Sequence, residues 1–159
     1  METSRGSSRA RAARGGGSDQ RGDAATGAAT GARAGDAASE QRAYDTALEQ
    51  FKSGSYPAAI ASFQSFVKAY PKSPLAPSAL YWVGNAQYAQ RDFRGAIATQ
   101  RQLIATYADS QKVPDALLNV ASCQVELGDA PGARRTLEDI VAKYSTSEAA
   151  SKARQRLRQ

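Results

Sequence analysis

From residue 43 onward, apolar and polar positions recur with the period of a helix. Ile60, Phe63, Phe66, Val67 and Tyr70 fall on one stripe, the arrangement that gives a helix one buried face. The pattern predicts helices over about 43–53, 56–70, 76–91, 93–107, 113–127, 130–144 and 147–158. It also recurs at a longer interval. Tyr56, Phe93 and Ala130 stand 37 residues apart, as do Ala59, Ala96 and Ala133, then Phe66, Leu103 and Ile140, then Tyr70, Tyr107 and Tyr144. Such self-similarity predicts an all-α stack in which each helical hairpin buries its apolar face on the next. The hairpins fall at about 43–75, 76–112 and 113–146, with a capping helix at 147–158.

The turns agree with these boundaries. Gly54 and Gly128 stand where a helix C-terminus favours a left-handed residue, and Arg91 holds that place in the second repeat. Ser55, Asp92 and Asp129 are suited to cap the second helix of each hairpin, and Ser73, Ser110 and Ser147 to cap the helix that follows each link. Pro57, Pro77, Pro114 and Pro131 fall near first turns, where a missing N–H costs little. Ala47, Gly84 and Ala121 recur on the first helices and Ala59, Ala96 and Ala133 on the second. Small side chains at these points let helices approach closely while larger ones fill the flanks.

Residues 1–42 have a different composition: Gly, Ala, Ser, Thr and Arg dominate, and Met1 is the only large apolar side chain. Such a segment buries too little apolar surface to offset its chain entropy, so a disordered tail is expected. The net charge is +6; residues 1–42 carry seven arginines and five acids (+2), leaving fourteen bases and ten acids (+4) for 43–159. Lys152, Arg154, Arg156 and Arg158 cluster at the end. They fit a solvated face on a terminal helix better than a nucleic-acid surface, so no nucleic-acid partner is expected. No apolar run is long enough to span a membrane, and no apolar h-region of a signal peptide follows the N-terminal arginines.

Candidate chemistry is sparse. The chain has no histidine and one cysteine, which removes most acid–base, triad and zinc arrangements. Cys123 aligns with the small residue Ala86 one period earlier and reads as a buried hydrophobe. Gly15, Gly16 and Gly17 precede no helix, so no phosphate-binding loop or cofactor site is expected. Arg21-Gly22-Asp23 is explained by the composition of the tail. The expectation is a binding protein, not an enzyme.

Gly84, Tyr88, Asp92, Phe93, Ala96 and Ile97 resemble a tetratricopeptide repeat, whose usual unit is about 34 residues. The segment ALYWVGNAQYAQRDFRGAI, with a following Tyr107, Ser110, Pro114 and Ala116-Leu117, resembles the C-terminal repeat domain of the YbgF/CpoB family of cell-division coordinators. That resemblance implies a right-handed superhelix and a periplasmic adaptor that binds TolA. The adaptor would couple outer-membrane constriction to septal peptidoglycan synthesis, with a penicillin-binding synthase as a further partner. The family's signal peptide and trimerising coiled coil find no counterpart in residues 1–42. Ala130 and Arg134 depart from Tyr56/Phe93 and Ile60/Ile97, so looser packing is expected in the third repeat.

The resemblance also implies that the first helices line a concave groove. Its candidate residues are Tyr44, Asp45, Leu48, Phe51 and Lys52, then Tyr81, Trp82, Asn85 and Tyr88, then Leu118, Asn119, Ser122 and Val125. Tyr81 and Trp82 are adjacent, so both cannot occupy the centre of the core, and such aromatics are frequent binding anchors. Asn85 and Asn119 stand where some tetratricopeptide domains hold a carboxylate. Tyr81 occupies the place of the expected lysine, so neutral hydrogen bonding to a partner backbone is favoured. Two alternatives are a repeat scaffold for outer-membrane protein assembly, which calls for an N-terminal lipobox cysteine, and nucleic-acid binding through the basic tail.

Overall fold

The computed structural model describes residues 37–159, and every regular element among them is a helix. Helix α1 covers 37–52. It is followed by α2 (Tyr56–Ala69), α3 (Ala76–Ala89), α4 (Phe93–Thr106), α5 (Val113–Glu126), α6 (Ala130–Lys143) and α7 (Glu148–Leu157). Residues Arg42–Gln159 form one compact unit. Successive helices pack on one another, and α3 also meets α5 as α5 meets α7. The odd-numbered helices therefore share a face, as expected of stacked hairpins.

Helix α1 starts six residues before its expected position at 43. Ala37, Ala38, Glu40, Gln41 and Arg42 are strong helix formers. Propensity carries the helix back where no large apolar side chain marks it. The rest of the expected disordered tail, residues 1–36, lies outside the described residues, as do the glycine run and the Arg21-Gly22-Asp23 tripeptide.

Gly54 (φ 82°), Arg91 (φ 65°) and Gly128 (φ 83°) all adopt the left-handed conformation at the hairpin turns. Arg91 does so without a glycine's freedom, and its guanidinium lies 5.4 Å from the Phe93 ring centroid. The Asp92 carboxylate accepts from Gly95 N at 3.0 Å, and Asp129 accepts from Gly132 N at 2.9 Å, satisfying free N–H groups of α4 and α6. Ser55 differs from expectation, since its side chain makes no capping bond to α2. Ser147 caps α7 through Ala150 N at 3.0 Å. Ser73 and Ser110 instead accept from Leu75 N and Lys112 N, each at 3.0 Å, within the turn before the helix. Two extra residues separate each of these serines from its helix, so Leu75 and Lys112 take the N-cap place.

The core follows the repeat. Ala47, Ala59, Ala96, Ala121 and Ala133 are buried, among Phe63, Phe66, Leu103, Leu137 and Ile140. Cys123 is fully buried, and desolvation first, then the charges of Glu126 and Asp92, pushes its thiol up to about 11. Thr99 donates to Gln87 and Thr136 to Gln124, both at 2.7 Å, one repeat apart. The Tyr107 hydroxyl reaches back across a repeat to Pro71 O at 2.6 Å. Of the buried polar side chains Ser73, Thr99, Gln100 and Gln124, Gln100 is the one completely buried; it lies beside Gly84 and donates through Nε2 to Tyr81 O at 3.2 Å.

Candidate protein-binding face

Helix α1 places Tyr44, Leu48 and Phe51 on one side, where they meet Trp82 of α3 around a core of Phe63, Phe66 and Val83. The Tyr44 ring stands edge-on to Phe63 (5.6 Å) and Phe66 (5.8 Å). Its hydroxyl accepts from Trp82 Nε1 at 3.0 Å. The Trp82 ring lies 4.9 Å from Phe51 and 5.7 Å from Tyr81. Tyr44, Phe51, Tyr81 and Trp82 are all half-buried. They form a continuous aromatic wall across two repeats, with Lys52 exposed at one end. Each ring thus holds the repeats together on one side and offers its remaining area to solvent. Lys112 adds a cation 4.8 Å from the Tyr81 ring centroid.

Beyond this wall the face turns polar. Asn119 Nδ2 donates to Asn85 Oδ1 at 2.7 Å, and Asn119 Oδ1 lies 3.5 Å from the Cys123 thiol. The two asparagines are therefore brought together and partly satisfy each other. Leu118 is a correction to the expected lining: at 9% exposure it packs in the core with Leu137 and Ile140 rather than lining the groove. It stands beside Asn119 on α5 but faces α6 and α7, a direction the groove assignment did not distinguish.

At the C-terminal end, α3, α5, α6 and α7 border a solvent-open cavity of about 380 Å³, its lining including Tyr88, Val125, Ala130, Leu137, Arg156 and Leu157. Val125 is 58% exposed there, a high value for a large apolar side chain. Arg156 Nη1 donates to Ser122 Oγ at 2.8 Å, and Ser122 Oγ donates to Leu118 O at 3.2 Å. The Tyr88 hydroxyl is raised above its ordinary pKa by burial first and then by the nearby Glu126 carboxylate, with Arg156 opposing. Arg156, Glu126 and Leu157 were not among the sequence candidates. Arg156 could have been found, because it stands one period after Asn119 and two after Trp82. Among the described residues no three metal-ligating side chains converge, and no helix is long and apolar enough to cross a membrane.

Two models of the tetratricopeptide repeat match the chain, one over residues 44–112 and the other over 115–147. The cell division coordinator CpoB of Pseudomonas putida is 36% identical over 58 residues, 36% of this chain and 22% of that protein. The match thus spans about a fifth of the relative's length. Among solved structures, the Yersinia enterocolitica type III secretion translocator chaperone SycD superposes with a TM-score of 0.62 at 19% identity, covering 77% of this chain and 90% of that one. The first tetratricopeptide domain of Spaghetti (RPAP3), bound to the HSP90 peptide SRMEEVD, superposes with a TM-score of 0.59 at 18% identity, covering 75% and 87%. At these identities the structural likeness speaks to the fold alone.

Proposed function

The chain belongs to the tetratricopeptide repeat family, and from that premise we propose that it is a non-enzymatic adaptor whose odd-numbered helices receive a segment of a partner protein. The observation that carries this reading is the aromatic wall. Tyr44, Phe51, Tyr81 and Trp82 span two repeats on one face and keep part of their area in solvent. Rigid aromatic side chains of this kind lose little freedom on binding and dominate interface energetics. The lack of histidine removes the commonest general base, and the single thiol is buried with a raised pKa.

The partner in this reading is TolA, and the process is the coupling of envelope constriction to septal peptidoglycan synthesis in the periplasm. The 36% identity to CpoB over 58 residues supports it, as does the resemblance carried by Ala79 to Ile97. A penicillin-binding synthase is the second partner of the same assembly. In this reading Lys52 and the paired Asn85 and Asn119 add polar contacts to a partner backbone beside the aromatic anchors. The test is recovery of TolA from envelope extract by the immobilised full chain, read with an antibody to TolA. Recovery that is lost on the Trp82→Ala variant supports the reading. Absence of TolA from the eluate of the folded wild-type chain overturns it.

A further inference from the structure

The cavity at the C-terminal end occupies the place where the earlier repeats keep an aromatic pair. Phe51, Tyr88 and Val125 are one period apart, as are Tyr56, Phe93 and Ala130. In the first repeat Phe51 meets Tyr56 edge-on at 5.3 Å, and in the second Tyr88 meets Phe93 at 5.2 Å. In the third, both rings are replaced by the smaller Val125 and Ala130, and these two side chains line the cavity. The position that Trp82 holds against Phe51 is held here by Arg156. The repeat geometry is thus kept while its aromatic filling is removed.

We propose that this cavity receives an aromatic side chain from a partner segment whose neighbouring Asp or Glu pairs with Arg156. The volume of about 380 Å³ is ample to admit one such side chain. The walls supplied by Tyr88, Val125, Leu137 and Leu157 give the ring apolar and edge-on contacts. Arg156 is held by Ser122 Oγ and makes no ion pair among the described residues, so guanidinium donors remain for a carboxylate. Glu126 also lines the cavity and acts electrostatically on the Tyr88 hydroxyl, and Arg134 is paired with Glu138 at 3.6 Å. Arg156 is therefore the cation of this lining without a carboxylate partner, and a partner's side-chain carboxylate matches it, with the Glu126 carboxylate as the opposing charge on the same lining. The chain itself already sets a cation against an aromatic ring at Phe93 and at Tyr81.

This inference rests on the adaptor reading, and one selection separates the two. A displayed library of random, end-blocked dodecapeptides is panned on the full chain, and enriched peptides are titrated against wild type, Arg156→Glu and Ala130→Phe. Arg156 and Ala130 are both exposed, so each variant is expected to fold. Ala130→Phe supplies the missing ring and is expected to raise the melting temperature while blocking the cavity. The proposal expects peptides with an aromatic residue beside Asp or Glu, weakened about tenfold or more by Arg156→Glu and by Ala130→Phe. Enriched peptides without that pairing, or bound equally by both variants, overturn the cavity assignment and leave the groove reading standing. No enrichment over a non-binding control overturns the cavity assignment, while the adaptor reading is decided by the recovery of TolA.

Discussion

Gly84→Ala is a change that helix propensity alone makes favourable by about 1 kcal/mol. The packing predicts the opposite sign. A Cβ at position 84 would stand 2.1 Å from Gln100 Nε2 and 2.6 Å from its Cδ. Gln100 is fully buried, so its amide has no free space to swing into, and moving it breaks the 3.2 Å bond to Tyr81 O. A buried donor left without a partner costs about 1–3 kcal/mol, and overpacking adds about 1–3 kcal/mol. The net expectation is a loss of roughly 2 kcal/mol, or a fall in melting temperature on the order of 8 °C for a domain of this size. The other repeats suggest the rescue. The registered pair is Ala47 with Phe63 in the first repeat and Ala121 with Leu137 in the third. Gly84→Ala combined with Gln100→Leu imports the third repeat's solution and removes the Gln100 Oε1, a buried acceptor without a protein partner. Urea denaturation of wild type, both single variants and the double variant, followed by circular dichroism, should give a favourable coupling of at least about 1 kcal/mol. A Gly84→Ala variant as stable as wild type, or a Gln100→Leu change that fails to rescue it, would refute the reasoning.

Asp92→Ala and Asp129→Ala should each destabilise by about 1 kcal/mol through loss of a cap, whereas Ser55→Ala should change little; the midpoint of urea unfolding distinguishes them. Arg91→Gly should raise stability by up to about 1 kcal/mol, because relief of the left-handed strain exceeds the loss of the cation–ring contact; a lower melting temperature would contradict this. The raised pKa of Cys123 means that the fold favours the neutral thiol. Its contribution is therefore constant below the unfolded value of 9.0 and is lost as pH rises towards about 11. Stability should decline across that window and Cys123→Ala should flatten the decline. At pH 8, labelling of Cys123 by a thiol reagent should follow the rate of unfolding rather than that of the exposed thiol.

The fold was largely legible because tetratricopeptide hairpins repeat their chemistry. The 37-residue register located helices α2 to α7 to within two residues, and the aspartate and glycine punctuation marked most turns. Side-chain direction was less legible. Leu118 and Asn119 are neighbours in sequence, yet one is core and the other meets Asn85. The start of α1 was hidden because alanines and polar helix formers carry no amphipathic stripe. Sequence did single out Ala130 and Arg134 as departures in the third repeat. That Ala130 and Val125 together open a cavity follows only when their partners Phe51–Tyr56 and Tyr88–Phe93 are seen as ring pairs. Trp82 likewise has a structural part that its sequence position did not reveal, since its N–H to Tyr44 ties α3 to α1.

The central claim is that the face formed by the odd-numbered helices binds the partner. Its most direct test is a titration of the full chain with its cognate TolA, comparing wild type, Trp82→Ala and, as a control on the exposed side of α4, Arg101→Ala, each checked for helicity by circular dichroism. The account predicts saturable binding that Trp82→Ala weakens by more than about 1 kcal/mol and Arg101→Ala leaves unchanged. Absence of saturable binding by the folded wild-type chain, or equal affinities for wild type and Trp82→Ala, would contradict it.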